Sequence, residues 1–186
     1  MNRRCFAGLI VSVALASLLG GCATEPYMTG GTLDRETAAA IALFKRMDPD
    51  MEKFFNNSAG YVVFPTVTKG GIGIGAAHGD GVVFAKSKQI GTATMTQVTI
   101  GLQLGGQEYS EVIFFQDKTT LDQFAANQFT FSAQATAVAA SAGASADADY
   151  QKGVAVFTIA KGGLMFEASI GGQKFRFTPL RKPALY

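Results

Sequence analysis

An α+β fold is predicted: a curved, mostly antiparallel, barrel-like β-sheet with N-terminal and mid-chain helices packed against it. Three features of the 186-residue chain predict it. Apolar residues recur at intervals of three and four between positions 33 and 55, the signature of one helical face. From Gly60 the texture changes to β-branched and aromatic residues that alternate with small or polar ones. A second short stretch of helical spacing, 119–129, interrupts the β texture before a final β block.

The amino terminus comes first. Arg3 and Arg4 precede an apolar run from Cys5 to Leu19, which has a secretory signal layout and is too short to span a bilayer as a helix. Leu19-Gly20-Gly21-Cys22 resembles the lipobox of bacterial lipoproteins. That resemblance implies a signal peptide over 1–21 and a mature chain beginning at a lipidated Cys22. With Ala23 in place of an aspartate, the implied destination is the periplasmic face of the outer membrane, given a two-membrane bacterium. Residues 22–32 then hold the lipidated cysteine and a Pro- and Gly-containing tether, whose ten residues after Cys22 reach at most roughly 35 Å. Residues 33–186 make one domain, enough to bury a real core.

Composition excludes several classes. Cys5 lies in the expected signal and lipidation consumes Cys22, so neither a disulfide framework nor a thiolate metal site is expected. Arg3 and Arg4 account for the excess of 16 basic over 14 acidic residues, so net charge gives no case for nucleic acid.

The helical stretch 33–55 carries Ile41, Phe44, Met47, Met51 and Phe55 on one stripe and breaks near Asp48-Pro49, where proline suits the first turn of a second helix. Packing on a sheet is the preferred reading of the stripe, membrane insertion the alternative. Tyr61-Val62-Val63-Phe64-Pro65 begins the first strand. Residues 72–77 and 81–85 flank His78-Gly79-Asp80-Gly81, which reads as a hairpin turn.

Gly71-Ile72-Gly73-Ile74-Gly75-Ala76 fits the dinucleotide-binding pattern G-x-G-x-x-[GA], but no helix comes after it to meet a pyrophosphate and no acidic residue stands about 20 positions on. The alternation explains the glycines better: Ile72 and Ile74 point to one face, Gly71, Gly73 and Gly75 to the other. Three glycines in register on a strand imply close approach of something, either packed protein or a ligand chain such as lipid.

Between 95 and 115 one or two long strands are expected, with Ile100, Leu102 and Leu104 alternating against Thr99, Gly101, Gln103 and Gly105. Leu121 and Phe124 mark the short helix. The Ala- and Ser-rich segment 131–150 has no dominant period. The last block, 154–177, is β and repeats the opening motif, since Lys161-Gly162-Gly163-Leu164 matches Lys69-Gly70-Gly71-Ile72. Two Lys-Gly-Gly turns in related units of one sheet are expected.

Taken in order, Phe64-Pro65, Lys69-Gly70-Gly71-Ile72-Gly73-Ile74-Gly75, Gly79 with Gly81-Val82-Val83, Gly101-Leu102-Gln103-Leu104-Gly105, Glu111-Val112-Ile113, Phe124, and Lys161-Gly162-Gly163-Leu164 through Gly171 resemble the SYLF domain. The resemblance covers roughly 37–177. It departs in two places: the chain has no Trp, and the Gly-Pro-Gly-Arg-like turn of the family stands here as Ala142-Gly143-Ala144-Ser145, without the arginine. The resemblance implies phospholipid binding, with phosphoinositides and actin bound by eukaryotic members related to the yeast actin-binding proteins.

Lys69, Lys161, Lys174 and Arg176 are the candidate lipid-binding residues, a basic surface for anionic headgroups. The other reading of these cations is protection of strand edges from pairing with other chains. No catalytic residue, metal or cofactor is expected: His78 is the lone histidine, nucleophile-elbow and phosphate-loop motifs are absent, and Glu108/Glu111 and Asp147/Asp149 are ordinary carboxylate pairs. The chain is therefore expected to be no enzyme. Its partner is membrane phospholipid, through the acyl anchor and the domain; an envelope module that binds protein or glycan is the alternative.

Overall fold

The chain from Gly31 begins with α1 (Thr32–Met47), a single 3-10 turn (Pro49–Met51) and α2 (Glu52–Asn57). The computed structural model describes residues 31–127, 130–131, 138–139, 141, 143–146 and 148–180. Cys22, the expected signal segment and most of the tether lie outside the described residues.

α1 starts where the Asp34 carboxylate accepts a hydrogen bond from the Gly31 amide at 3.1 Å, satisfying one of the orphan donors of the first turn. It ends at Asp48, whose side chain caps the next turn by accepting from the Asp50 amide. The predicted break at Asp48-Pro49 is therefore present. Of the stripe, Ile41, Phe44, Met51 and Phe55 are buried and Met47 is the exposed member. The stripe packs on the sheet, which removes it as a membrane-inserting surface.

Three strands dominate the rest of the chain: β1 (Gly60–Ala85), β2 (Lys88–Phe115) and, after α3 (Lys118–Ala125), β5 (Val154–Pro179). Between α3 and β5 lie two short strands, β3 (Thr130–Phe131) and β4 (Val138–Ala139). Ladder order is β1-β2-β5-β3, antiparallel throughout, with β4 paired parallel to β5. The α+β class and the antiparallel sheet hold; the sheet is not closed into a barrel.

A strand of 26 residues would run about 85 Å if straight. β1 instead doubles back, so that its first and last thirds lie against each other: a Cβ built on Gly60 would meet the Phe84 carbonyl, and one on Gly79 the Thr66 carbonyl. The bend falls at 71–75, where Gly73 takes a φ of 70° and the ladder slips register between Ile72 and Ile74. β2 and β5 bend with it, which makes a folded three-stranded ribbon.

The predicted turn at His78–Gly81 is not a turn. β1 runs straight through it, and the connection to β2 is made by Lys86 and Ser87, with Lys86 at a φ of 54°. Gly79 and Gly81 serve close approach instead. Likewise, the two Lys-Gly-Gly segments are not turns; they lie within strands on either side of β2, Gly70 opposite Gly106 and Gly162 opposite Glu108.

Two cores result. One lies between the halves of the ribbon, with Val62, Phe64, Val67, Ala77, Val83, Met95, Ile113, Phe115 and Phe175, and takes in Leu121 and Phe124 of α3. The other covers the outer face, where Phe44, Met51, Phe54 and Phe55 of the helices meet Tyr61, Phe84, Phe114 and Phe157. Its rings pack edge-on and tilted, as between Phe55 and Phe114 with centroids 4.8 Å apart.

Close approach gives a direct test. A methyl at position 81 would lie 2.6 Å from the Val63 carbonyl oxygen and 2.7 Å from the Phe64 ring, neither a flexible chain end. Gly81→Ala is expected to cost about 3 kcal/mol in urea denaturation. Gly73→Ala meets open space and bears only its left-handed backbone, about 1 kcal/mol. Equal losses at the two positions would contradict the doubled-back ribbon.

Candidate functional site

The bend reverses the usual polarity of a sheet. Ile72 is 80% exposed, Ile74 66%, Val98 61%, Ile100 68% and Leu104 62%. They form one surface because the ladder pairs Ile72 with Leu104, Ile74 with Ile100 and Ala76 with Val98. β5 continues the register, Phe166 opposite Leu104 and Ile170 opposite Ile100.

Polar residues lie inside, at the level of the bend and below it. Lys69, Thr99 and Glu111 are buried, among the few buried polar side chains of the sheet. Gln173 donates from Nε2 to Glu111 Oε2 at 3.1 Å, while Glu111 Oε1 has no hydrogen-bond partner among the described residues. Burial pushes the Glu111 carboxyl up to about 7, and the hydrogen bond from Gln173 and the positive charge of Lys69 act against that rise. Gly71 and Gly75 face each other on the inner side, Gly73 is exposed at the tip, and the isoleucines face out. Alternation holds for Gly71 and Gly75 but fails at Gly73, where the ladder slips and the residue is exposed with the isoleucines, and period alone does not say which face is inside.

The four predicted cations do not form one patch. Lys69 is interior, 7% exposed, because the ladder shift between Phe64 and Val67 keeps Val67 and Lys69 on the face that Phe64 occupied. Lys161 is exposed on the other limb of the bend, donating to Thr66 Oγ1 at 2.8 Å. Lys174 and Arg176 do come together: both are exposed on the outer face of β5, opposite Thr96 and Thr94. With Asn127 and Thr178 they line an open groove of about 790 Å³. The Asn127 Oδ1 closes one end by accepting from the Phe177 amide at 2.6 Å.

Other sequence candidates scatter. His78 is exposed on β1, its Nε2 3.8 Å from Asp80 Oδ2. Glu108 is exposed while Glu111 is buried, so the two do not act as a pair. Among the described residues no three His, Cys, Asp or Glu side chains gather at metal-binding distance, and no helix is long and apolar enough to cross a membrane.

One buried group was not foreseen. Asp48, fully buried, accepts from the backbone amides of Ser145 at 2.7 Å and Gly143 at 3.3 Å as well as from Asp50. Gly143 and Ser145 are therefore fastened to the end of α1 by a carboxylate.

Residues 96–179 match the family Ysc84, described as "Las17-binding protein actin regulator". The matched span holds the β2 part of the bend and all of β5, but not the β1 part at 71–75. The chain is also similar to Beta cell expansion factor A of Aeromonas veronii, 31% identical over 140 residues, or 74% of this chain and 52% of that protein. The chain thus spans about half the length of this relative.

Proposed function

Because this chain belongs to the Ysc84 (SYLF) domain family through residues 96–179, we propose that it is a membrane-anchored lipoprotein whose domain binds phospholipid. The observation that carries the reading is the contiguous apolar surface on the bend, more exposed than an ordinary soluble sheet leaves its isoleucines. In this reading Cys22 holds the chain at the periplasmic face of the outer membrane, and the tether keeps the domain within roughly 35 Å of it. The Las17 and actin of the family's description are not carried over, since a periplasmic domain meets neither. The domain works by binding, without catalysis, metal or cofactor.

Lys174 and Arg176 are the cations this reading assigns to anionic headgroups; Lys161 is a second contact, and Lys69 is reassigned to the interior. A chain beginning at Thr24 is expected to co-float with vesicles, more strongly when they contain anionic lipid. With about 1 kcal/mol for each basic residue near an anionic surface, Lys174→Gln with Arg176→Gln weakens anionic-vesicle binding roughly thirtyfold. A folded chain that floats with no vesicle composition would remove lipid binding and leave an envelope module for protein or glycan.

A further inference from the structure

We propose that the bend of the ribbon is a β-wedge that enters the acyl region of a single leaflet, with Ile72, Ile74, Val98, Ile100 and Leu104 buried in lipid and Lys174 and Arg176 held at the headgroups. The inference rests on the lipid-binding reading and adds which element enters, how deep, and in which orientation.

Polarity argues for lipid as the occupant. In a sheet facing water on one side, the apolar residues turn to the core. Here the inner face at the bend carries Gly71, Gly75, Thr99 and Lys69, with Glu111 further along β2, and the outer face carries the branched aliphatics. Apolar outside and polar inside is the alternation of β-strands that meet lipid.

Length limits the depth. From Val98 to Leu104 the apolar stretch of β2 covers roughly 20 Å at about 3.3 Å per residue, and it bends on the way. A spanning strand needs about 9–11 residues tilted through a core of about 30 Å. Folded at the bend, the stretch reaches about 10 Å, which fits inside the roughly 15 Å of one leaflet and cannot cross it.

Charge sets the orientation. Lys174 lies opposite Thr96, two residues from Val98, or about 7 Å along the strand; Arg176, opposite Thr94, lies two residues further. Both are exposed on the outer face that carries the apolar residues. On the other limb, exposed Lys161 stands beyond Leu104, in the stretch of β5 that pairs with Glu108 and Tyr109. Cations therefore flank the apolar surface on both limbs, where anionic headgroups would meet a wedge pushed in tip first.

The absence of tryptophan gives a clean test. Ile74→Trp and, as a control on α3, Lys118→Trp are made separately in the full chain and bound to vesicles whose acyl chains carry bromine. Expected is a blue-shifted, bromine-quenched signal from Ile74→Trp and an unquenched one from Lys118→Trp. In the Thr24 chain, Ile74→Asp with Ile100→Thr is expected to weaken vesicle binding by at least about a hundredfold, both side chains being exposed and the pair placing no two like charges opposite each other on the ladder. A Thr24 chain that floats while the Ile74→Trp signal is unquenched in the full chain overturns the wedge alone. A Thr24 chain that never floats overturns wedge and lipid binding together. Self-association through the bend, lost in Ile74→Asp with no quenching in Ile74→Trp, assigns the surface to a second copy and also overturns the wedge.

Discussion

Asp48→Ala is expected to lower the unfolding free energy by about 4 kcal/mol. The carboxylate is wholly buried and takes hydrogen bonds from the amides of Asp50, Gly143 and Ser145. A hydrogen bond to a charged group contributes about 1.5–3 kcal/mol net, and truncation leaves several donors unpaired at the junction of α1 and the 143–146 segment. Asp48→Asn keeps one acceptor oxygen but turns an amide donor toward backbone donors, so it recovers part of the loss at most. Urea denaturation near neutral pH measures both. A loss under about 1 kcal/mol for Asp48→Ala would mean that this segment is held by something else.

The same carboxylate has a pH signature. Burial pushes its pKa up, but the hydrogen bonds from Ser145, Gly143 and Asp50 together outweigh burial and hold it below the ordinary 3.8. A depressed acid pKa contributes stability that is fully present above the unfolded value and lost as pH falls through the folded one. Acid sensitivity below about pH 4 is therefore expected of the parent chain and should be reduced in Asp48→Asn.

Asp48 also shows where sequence reading stops. Its helical neighbourhood was legible, because proline suits the first turn of a helix and the apolar spacing on either side placed α1 and α2. Its partners were not, since Ser145 lies 97 residues away in a segment without period. The glycines show the same boundary. At 79 and 81 they permit β1 to lie on its own first third, yet Gly-Asp-Gly reads as a hairpin because a turn and a close approach favour the same residue. The true connection, Lys86-Ser87, contains no glycine to announce it. At 71–75 alternation separated Ile72 and Ile74 from Gly71 and Gly75 but not from Gly73, and which side lay inside depended on the doubling of the ribbon. For the same reason the cations of the candidate site divided: Lys69 and Lys161 share a motif, and the ladder places one inside and the other outside.

The interior of that bend carries the second large expectation, and its sign is opposite to that of Asp48. Burial raises the Glu111 carboxyl from about 4.5 to about 7 despite Gln173 and Lys69. The folded chain therefore holds the Glu111 proton more tightly than the unfolded chain does. Stability from this group is complete below about pH 4.5, declines as pH rises toward 7, and stays reduced above it. A shift of this size corresponds to about 3 kcal/mol. Glu111→Gln has no proton to lose, so its stability relative to the parent should improve by about 3 kcal/mol between pH 4 and pH 8, whatever constant difference separates them. Comparing the two pH values cancels that constant, including any effect of the substitution on Lys69. Denaturation of parent and variant at both values decides it, and a gap that does not change with pH would place the Glu111 carboxylate in contact with water. The expectation bears on the wedge as well. Above pH 7 an ionised Glu111 and the buried Lys69 lie beneath the apolar tip, and below it a neutral acid faces the same lysine. If the tip enters lipid as a rigid unit, quenching at position 74 depends on vesicle charge and remains unchanged in Glu111→Gln.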